Sequence, residues 1–208
     1  MTVRSLFPTL IYRAPLGGRD PRHFTQRLLD EAEALRLHDE KGQAWSDQHY
    51  VGGYTSYATH AKLHRTSSTF ADLQRRLMPH ARAFATRLRY DLRGRTIDMT
   101  DCWVNFMPAQ VAHGMHLHPL SFLSGTFYAR TPRGSAGLKF EDPRLSRLMA
   151  APPRQVDAPA ALRPFVTLPV RAGTVILFES WLRHEVPATR IAGERVSISF
   201  NFAWSDKR

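Results

Sequence analysis

The chain has 208 residues, 43% of them hydrophobic and 11% aromatic, which suffices to bury one substantial core and excludes a disordered protein. Its 29 Lys and Arg against 18 Asp and Glu give a formal net charge of +11, so nucleic acid or another polyanion is a partner to consider. The basic residues are spread along the chain, however, and the densest group, between Arg75 and Arg95, falls on an amphipathic helix and its exit. Such a group is more typical of a solvated face, so nucleic acid is the less favoured partner.

The N-terminal sequence, MTVRSLFP, contains no sustained apolar segment, and no stretch of the chain approaches the length of a membrane span. We therefore expect a cytoplasmic protein without a membrane partner. The single cysteine, Cys102, cannot form an intramolecular disulfide and lies in a strand-like segment. We expect it to be a buried structural thiol.

The first half of the chain is predicted to contain one strand and two helices. Residues 1–13 alternate imperfectly and are predicted as an opening strand. Residues 21–37 place apolar side chains at helical spacing after Pro21, which suits a first helical turn. Gly52 and Gly53 mark a turn. The clearest helix spans 68–90, with Ser68 as its expected N-cap and one apolar stripe formed by Phe70, Leu73, Leu77, Ala81, Phe84 and Leu88.

The hydrophobic period changes to two from about residue 98. Eight short strands after two helices predict a mainly β fold with N-terminal helices, namely a double-sheet jelly roll with the helices packed on one sheet. We expect one domain over 1–208, with a helical support region at 1–97 and the jelly-roll core at 98–208. The predicted strands are 100–107, 114–118, 121–130, 137–141, 164–169, 173–179, 182–186 and 195–204.

The long connection at 142–163 differs from the other loops because it is rich in proline. A connection of this length in a compact domain is usually a binding loop or a lid, and we predict a lid at about 143–160.

The segment His113-Gly114-Met115-His116-Leu117-His118-Pro119 contains the densest group of candidate ligands. Side chains two positions apart on a strand share a face, so His116 and His118 should converge on one point. Neutral imidazole is a common ligand of Fe, Zn, Cu and Ni. His113 is out of this alternation and is expected in the incoming turn. An HxH pair alone also occurs on inert surface strands.

A third histidine, His184, follows the apolar strand 173–179 after a short turn. It would complete a three-ligand facial site with His116 and His118, although a histidine in this position can also be purely structural. Glu185 comes next and should point to the opposite face.

The last predicted strand alternates strictly. Arg195, Ser197, Ser199 and Asn201 share one face, and apolar residues occupy the other. This pattern fits an edge strand with a solvated polar face, or a strand that turns its polar face into the barrel. In the second case Arg195 would bind a carboxylate through its planar fork and Ser197 would add a hydroxyl. A buried arginine without an anion would be costly, so an inward Arg195 requires a bound acid.

With these motifs, the sequence resembles the 2-oxoglutarate/Fe(II)-dependent dioxygenase superfamily, and within it a group of small bacterial and phage oxygenases with an HxH motif. The resemblance covers nearly the whole chain. It includes Leu6-Phe7-Pro8-Thr9, Gly53-Tyr54-Thr55-Ser56, His116-x-His118-Pro119-x-Ser121-x-Leu123-Ser124-Gly125-x-x-Tyr128, Asp142-Pro143-Arg144 and Arg195-x-Ser197-x-Ser199-x-Asn201.

The resemblance implies a double-stranded β-helix, Fe(II), 2-oxoglutarate and O₂. The cosubstrate would chelate the iron and place its distal carboxylate on Arg195 and Ser197, with Tyr128 and Asn105 as further donors. Tyr128 and Asn105 are equally compatible with structural roles in a core. The expected activity is hydroxylase-type oxidation of a substrate that these motifs do not define.

The chain departs from the superfamily at one ligand. The usual triad is His-x-Asp/Glu…His, and His118 stands where the carboxylate should be. Either His118 is a third nitrogen ligand, or the iron is held by His116 and His184 while His118 has another role. Three neutral ligands would leave the metal more positive and change its redox behaviour and metal preference.

Two alternatives remain open at this stage. The first is a cupin-like three-histidine metalloenzyme that uses no 2-oxoglutarate, in which Arg195 would bind a substrate acid or a neighbouring carboxylate. The second is a basic, non-catalytic nucleic-acid-binding module on the same barrel. Binding of 2-oxoglutarate tests the first, and a steep salt dependence of nucleic-acid binding would support the second.

Overall fold

The structure, a computed structural model, describes residues 1–206. Helices precede most of the strands along the chain. The α-helices are α1 (Pro21–His38), α2 (Glu40–His49), α3 (Leu63–Thr66) and α4 (Ser68–Arg87). The strands are β1 (Tyr12–Pro15), β2 (Tyr54–Thr55), β3 (Thr96–Met107), β4 (His113–His116), β5 (Leu123–Arg130), β6 (Leu138–Glu141), β7 (Phe165–Leu168), β8 (Thr174–Glu179), β9 (His184–Val186) and β10 (Arg195–Ser205).

The strands form two antiparallel sheets. The larger sheet has the order β1-β8-β5-β10-β3-β2, and the smaller has the order β4-β9-β6-β7. Strand β10 lies near the middle of the larger sheet and pairs with β3 on one side and β5 on the other. All eight strands predicted after residue 98 are present, and the jelly roll with N-terminal helices is confirmed. The predicted single domain over 1–208, with its division at residue 97, stays a prediction.

The helices pack on the outer face of the larger sheet. Helix α1 begins at Pro21 after Asp20, whose side chain accepts a hydrogen bond from the backbone N–H of His23. Phe24 and Leu28 of α1, together with the apolar stripe of α4, are buried in a core against that sheet. The apolar residues that recur at helical spacing in the sequence therefore form the helix faces that pack on the sheet.

A second core lies between the two sheets. It includes Tyr128, Leu138, Phe140, Ile176 and Phe178. The alternation of β10 separates the two cores. Its apolar residues Val196, Ile198, Phe200 and Phe202 pack under the helices, so its polar residues face the smaller sheet and the barrel interior, where Arg195, Ser197 and Ser199 line a cavity. The sequence allowed the polar face of this strand to lie in solvent or inside the barrel, and the structure places it inside the barrel.

Several local predictions are wrong. Residues 1–11 form no strand, and the opening strand is Tyr12–Pro15, paired with β8. The N-cap of α4 is Ser67 rather than Ser68, because the Ser67 hydroxyl accepts the Phe70 N–H at 3.2 Å. His113 does not lie in the incoming turn but opens strand β4, opposite Val186. The strand predicted at 114–118 ends at His116, and a register irregularity between His113 and His116 breaks the simple alternation.

Helix α2 and the short α3 were not predicted. Helix α2 has few apolar residues, and only Gly42 and Ser46 of it are buried. It is held at its start by Asp39, whose carboxylate accepts hydrogen bonds from Gly42 N, Tyr54 Oη and Thr59 Oγ1. Capping, not hydrophobic periodicity, defines this helix.

Cys102 is fully buried in the core, where its backbone N–H donates to Ala61 O, and burial raises the pKa of its thiol. The prediction of a structural thiol is consistent with this placement. Among the helices of residues 1–206, none combines the length and the apolar character needed to cross a membrane.

Residues 142–163 connect β6 to β7 and contain only two short 3₁₀ helices, Leu145–Arg147 and Ala160–Leu162. Nearly every side chain here is at least partly exposed, with Met149 and Val156 more than nine-tenths exposed, and Ala158 is the one buried residue of the segment. At its start, the Arg144 guanidinium and backbone N–H donate to the Asp142 carboxylate. The start of the segment is thus held by hydrogen bonds, while the residues that follow pack little against the rest of the protein.

Candidate metal centre and anion pocket

The three predicted histidines converge at one end of the barrel. His116 of β4 and His184 of β9 are directly opposite each other in the antiparallel pair, and their ring centroids lie 4.3 Å apart. His118 lies just beyond β4, where its backbone N–H donates to Ser180 O at 3.0 Å. One ring nitrogen from each histidine lies within 4.8 Å of the others. The predicted convergence of His116, His118 and His184 is therefore present in the structure, although only His116 and His184 belong to strands.

The hydrogen bonds of the three rings define their tautomers. In each ring Nδ1 faces an oxygen that can only accept, so Nδ1 carries the proton and Nε2 carries the lone pair. The Nδ1 partners are Gly114 O for His116 at 2.7 Å, Leu182 O for His184 at 2.9 Å and Asn201 Oδ1 for His118 at 2.6 Å. All three Nε2 lone pairs are thus free for a metal ion.

The Nε2 atoms of His116 and His118 lie 3.2 Å apart. Two lone pairs at this distance repel each other unless a cation lies between them. Neighbouring nitrogen ligands, each about 2.1 Å from a metal, lie about 3 Å apart in octahedral geometry. The spacing therefore fits two adjacent positions on one metal ion.

Burial keeps these rings neutral. It lowers the pKa of His184 to about 3 and that of His118 to about 4, and it also lowers the pKa of His116. Neutral imidazoles are the protonation state that a metal ion requires.

A small cavity adjoins the three histidines. Among the described residues, its lining contains no acidic side chain. The lining consists of Trp103, Asn105, Met107, His113, His116, His118, Gly125, Thr126, Leu138, Phe178, His184, Val186, Arg195, Ser197 and Ser199.

Arg195 is the cation of this cavity, and only 6% of it is exposed. Its Nη1 donates to Ala136 O at 3.2 Å, while its Nε has no hydrogen-bond partner among the described residues. The hydroxyls of Tyr50 and Tyr128 are also buried and equally without a partner there. The guanidinium lies over the Tyr128 ring at 5.4 Å, and its charge acts on both tyrosines.

These unpaired groups fit a bound carboxylate. Burial raises the pKa of Tyr128 to about 12 and raises that of Tyr50 as well, so both hydroxyls can donate. An unpaired buried polar group costs about 1–3 kcal/mol, and an acceptor-only anion beside Arg195 would offset that cost for its guanidinium. Ser197, 1% exposed, lines the same cavity.

Asn105 lines the cavity but has little hydrogen-bonding capacity to spare. Its Oδ1 accepts from Thr55 Oγ1 at 2.9 Å, and its Nδ2 donates to Ser199 Oγ at 3.1 Å. The amide of Asn105 is thus already engaged by the protein, and its role as a donor to the cosubstrate stays a prediction. Glu185 points away from the histidines and pairs with Lys139 at 2.7 Å.

Two residues near the site, Trp103 and Tyr50, were missed in the sequence, and His113 was named there but assigned to a turn. His113 stacks on His116 with a centroid distance of 4.4 Å, and Trp103 lies 5.9 Å from His118. Tyr50 comes from the loop after α2 and contacts His113 at 5.4 Å. The one local signal for Tyr50 is Gly53, since a Cβ there would lie 2.7 Å from the Tyr50 ring.

Comparisons with known proteins agree with this arrangement. A family model described as "Putative 2OG-Fe(II) oxygenase" matches residues 101–201, the segment that holds His116, His118, His184, Arg195 and Ser197. The matched segment is thus similar to the 2OG-Fe(II) oxygenases, a family of metal-dependent enzymes, and the β fold of the chain agrees with that similarity. None of the curated protein sequences matches the chain.

Solved structures with this fold include two that cover nearly all of the chain. HygX from Streptomyces hygroscopicus, crystallised with nickel, 2-oxoglutarate and hygromycin B, is 13% identical over 94% of this chain and 83% of its own, with a TM-score of 0.61. A prolyl-4-hydroxylase from Pseudomonas putida is 13% identical over 96% of this chain and 94% of its own, with a TM-score of 0.60. An oxidoreductase of the 2OG-Fe(II) oxygenase family from Burkholderia pseudomallei is 18% identical over 68% of this chain, with a TM-score of 0.43, and the match spans about half (52%) of that longer protein.

Proposed function

We propose that this protein is an Fe(II)- and 2-oxoglutarate-dependent dioxygenase in which His116, His118 and His184 hold the metal and Arg195 holds the cosubstrate. The observation that carries the proposal is the pairing of two features in one cavity. One ring nitrogen from each of the three histidines converges on a common point, and the buried Arg195, whose Nε has no partner among the described residues, lines the same cavity. The first feature calls for a metal ion and the second for a carboxylate.

When bound, Fe(II) with 2-oxoglutarate and O₂ supplies the oxidising chemistry and yields succinate, CO₂ and an oxidised substrate. The protein contributes binding and orientation. The Arg195 guanidinium offers a planar fork to the distal carboxylate, and Ser197 adds a hydroxyl. The Tyr128 ring lies under the guanidinium and helps to position it. Asn105 acts through Ser199 and Thr55 and stiffens the wall of the cavity.

Apolar and aromatic side chains form part of the wall of the site. Phe178 packs on His184 with a centroid distance of 4.5 Å, and Trp103 closes the side next to His118. A dry cavity strengthens the pairing of Arg195 with a carboxylate, because the local dielectric constant is low.

Two features favour this proposal over its alternatives. A three-histidine enzyme without 2-oxoglutarate explains the metal site but leaves Arg195, Tyr50 and Tyr128 without an anion. A nucleic-acid-binding module would use the surface charge, yet several surface arginines are already paired, as Arg36 is with Glu194 and Arg183 with Glu141. The partners we propose are therefore 2-oxoglutarate and O₂, and cytoplasmic location stays a prediction.

Calorimetry tests the proposal directly. Protein loaded anaerobically with Fe(II), or with Mn(II) as a redox-inert substitute, should bind one 2-oxoglutarate per chain. Succinate, which lacks the 2-oxo group that chelates metal, should bind much more weakly. Absence of 2-oxoglutarate binding to the metal-loaded protein would contradict the dioxygenase assignment and favour the three-histidine alternative.

The segment at 143–160 is proposed to act as a lid. Because it is exposed and packs little, we expect trypsin to cut first at Arg147 or Arg154 in the metal-free protein. Metal with 2-oxoglutarate should slow this cleavage several-fold. Cleavage after Arg93, in the exposed turn before β3, provides the control and should not change. Equal rates at Arg147 and Arg154 in both states would argue against a lid.

A further inference from the structure

The ring of His118 is held from behind by a polar side chain that belongs to neither the metal site nor the anion pocket. Asn201 lies on the inner face of β10, six positions after Arg195, and is 6% exposed. Its Oδ1 lies 2.6 Å from His118 Nδ1, the shortest of the three histidine Nδ1 contacts.

The orientation of the Asn201 amide is decided by Asp101 of the neighbouring strand β3. Asn201 Nδ2 faces Asp101 Oδ2 at 3.4 Å, and a carboxylate can only accept a hydrogen bond. Thr100 Oγ1 donates to the same carboxylate oxygen at 2.7 Å and so holds it in place. On the other side of the amide, the Ser124 hydroxyl donates to Asn201 Oδ1 at 2.8 Å.

This orientation has a consequence for His118. If the amide were reversed, its NH₂ would meet the His118 Nδ1 lone pair, and the imidazole proton would move to Nε2. An Nε2–H cannot bind a metal. With the amide as it stands, Oδ1 requires Nδ1–H, and the Nε2 lone pair is directed at His116 Nε2, 3.2 Å away.

We infer that Asp101 and Asn201 are positioning residues that make His118 a metal ligand. Asp101 orients Asn201, and Asn201 holds His118 in the Nδ1–H tautomer. The pair also brings a carboxylate to within two hydrogen bonds of the imidazole, at the one ligand position where the superfamily's usual triad has a carboxylate of its own. Partners of this kind orient a ligating histidine and raise its basicity. The inference rests on the proposed metal site but not on 2-oxoglutarate.

The experiment exchanges the two side chains. Asp101→Asn removes the group that orients the amide, and Asn201→Leu removes the acceptor while keeping the shape. Each should weaken Co(II) binding by about 10- to 100-fold, the usual cost of losing such a partner. The exchange variant Asp101→Asn/Asn201→Asp places a carboxylate directly on His118 Nδ1 and an amide donor behind it. It should bind Co(II) within a few-fold of the wild type.

A direct readout of the tautomer separates this role from general stabilisation. In the full-length metal-free protein, ¹⁵N NMR of labelled histidine should show His118 as Nδ1–H in the wild type and in the exchange variant. In Asp101→Asn it should show a mixture of the two tautomers, while His116 and His184 stay unchanged. The visible absorption spectrum of the Co(II)-loaded Asn201→Leu variant should differ from that of the wild type and indicate one nitrogen ligand fewer. Asp98→Asn, which removes an acid from the same strand without contacting His118, is the matched control.

The outcomes are distinguishable. If Asp101→Asn leaves both the tautomer and the Co(II) affinity at wild-type values, the inference is wrong. It is equally wrong if the exchange variant folds but binds Co(II) no better than the single variants. If all variants behave as expected and the metal-loaded wild type ignores 2-oxoglutarate, the positioning role stands and the proposed dioxygenase function fails. A wild type that binds no Co(II) would overturn both.

Discussion

His116→Ala and His184→Ala should each abolish Fe(II) binding at micromolar protein concentrations. The two rings face each other across the β4–β9 pair, and each directs an Nε2 lone pair at the same point. Loss of a hydrogen-bond partner behind a ligand typically costs 10- to 100-fold in metal affinity, so loss of the ligand itself should cost more than about 100-fold. Iron content after anaerobic loading and desalting, with affinity from Co(II) titration, measures the effect.

His118→Ala decides how many histidines bind the metal. If His118 is a ligand, its loss should be as severe as that of His116. Unchanged affinity would show a site with two histidine ligands, in which His118 has another role. His23→Ala, an exposed histidine on α1, is the control and should keep full iron content. Full iron occupancy in both His116→Ala and His184→Ala would show that the ligand assignment is mistaken.

Much of the fold could be predicted because the hydrophobic period is a local property of the sequence. Strict alternation in 195–204 predicted both faces of β10, and the structure buries its apolar face under the helices and its polar face in the barrel. The sequence alone could not choose between a solvated and an inward polar face. That choice depends on the smaller sheet, which covers the strand only in the folded chain.

The errors have equally physical causes. The HxH spacing predicted convergence of His116 and His118 on a regular strand, but β4 ends at His116 and its register is irregular. His118 nevertheless reaches the site because its backbone is tied to Ser180 O and its ring to Asn201. Such non-local hydrogen bonds leave no periodic signal in the sequence.

Tyr50 shows the same limit. It follows a polar helix whose position depends on the buried Asp39 carboxylate, and it reaches the site only because the 50–55 loop folds against β3. Tyr50 and Arg195 are distant in the sequence, and they come together only through the pairing of β2 with β3 and of β3 with β10. The spacing of the motifs predicted the histidine ligands, whereas the contribution of the loop that carries Tyr50 could be recognised only in the structure.

Arg195→Ala should weaken 2-oxoglutarate binding to the metal-loaded protein by roughly 30-fold or more and leave the metal content intact. The guanidinium is 6% exposed, and apart from the bond to Ala136 O its donors are free for a ligand. Truncation of one partner of a buried charge pair costs on the order of 2–5 kcal/mol, and 2 kcal/mol already corresponds to about 30-fold. Calorimetry with 2-oxoglutarate on the Mn(II)-loaded variant gives the value.

Two further variants sharpen the result. Arg195→Lys should recover only part of the loss, because an ammonium group cannot reproduce the planar fork. Arg130→Ala removes an arginine from the neighbouring strand β5 that pairs on the surface with Glu33, and it should leave 2-oxoglutarate affinity unchanged. If Arg195→Ala binds 2-oxoglutarate as tightly as the wild type, the cosubstrate lies elsewhere in the cavity. The unpaired donors of Tyr50 and Tyr128 would then need another anion, since their burial beside Arg195 is the physical reason for placing the carboxylate there.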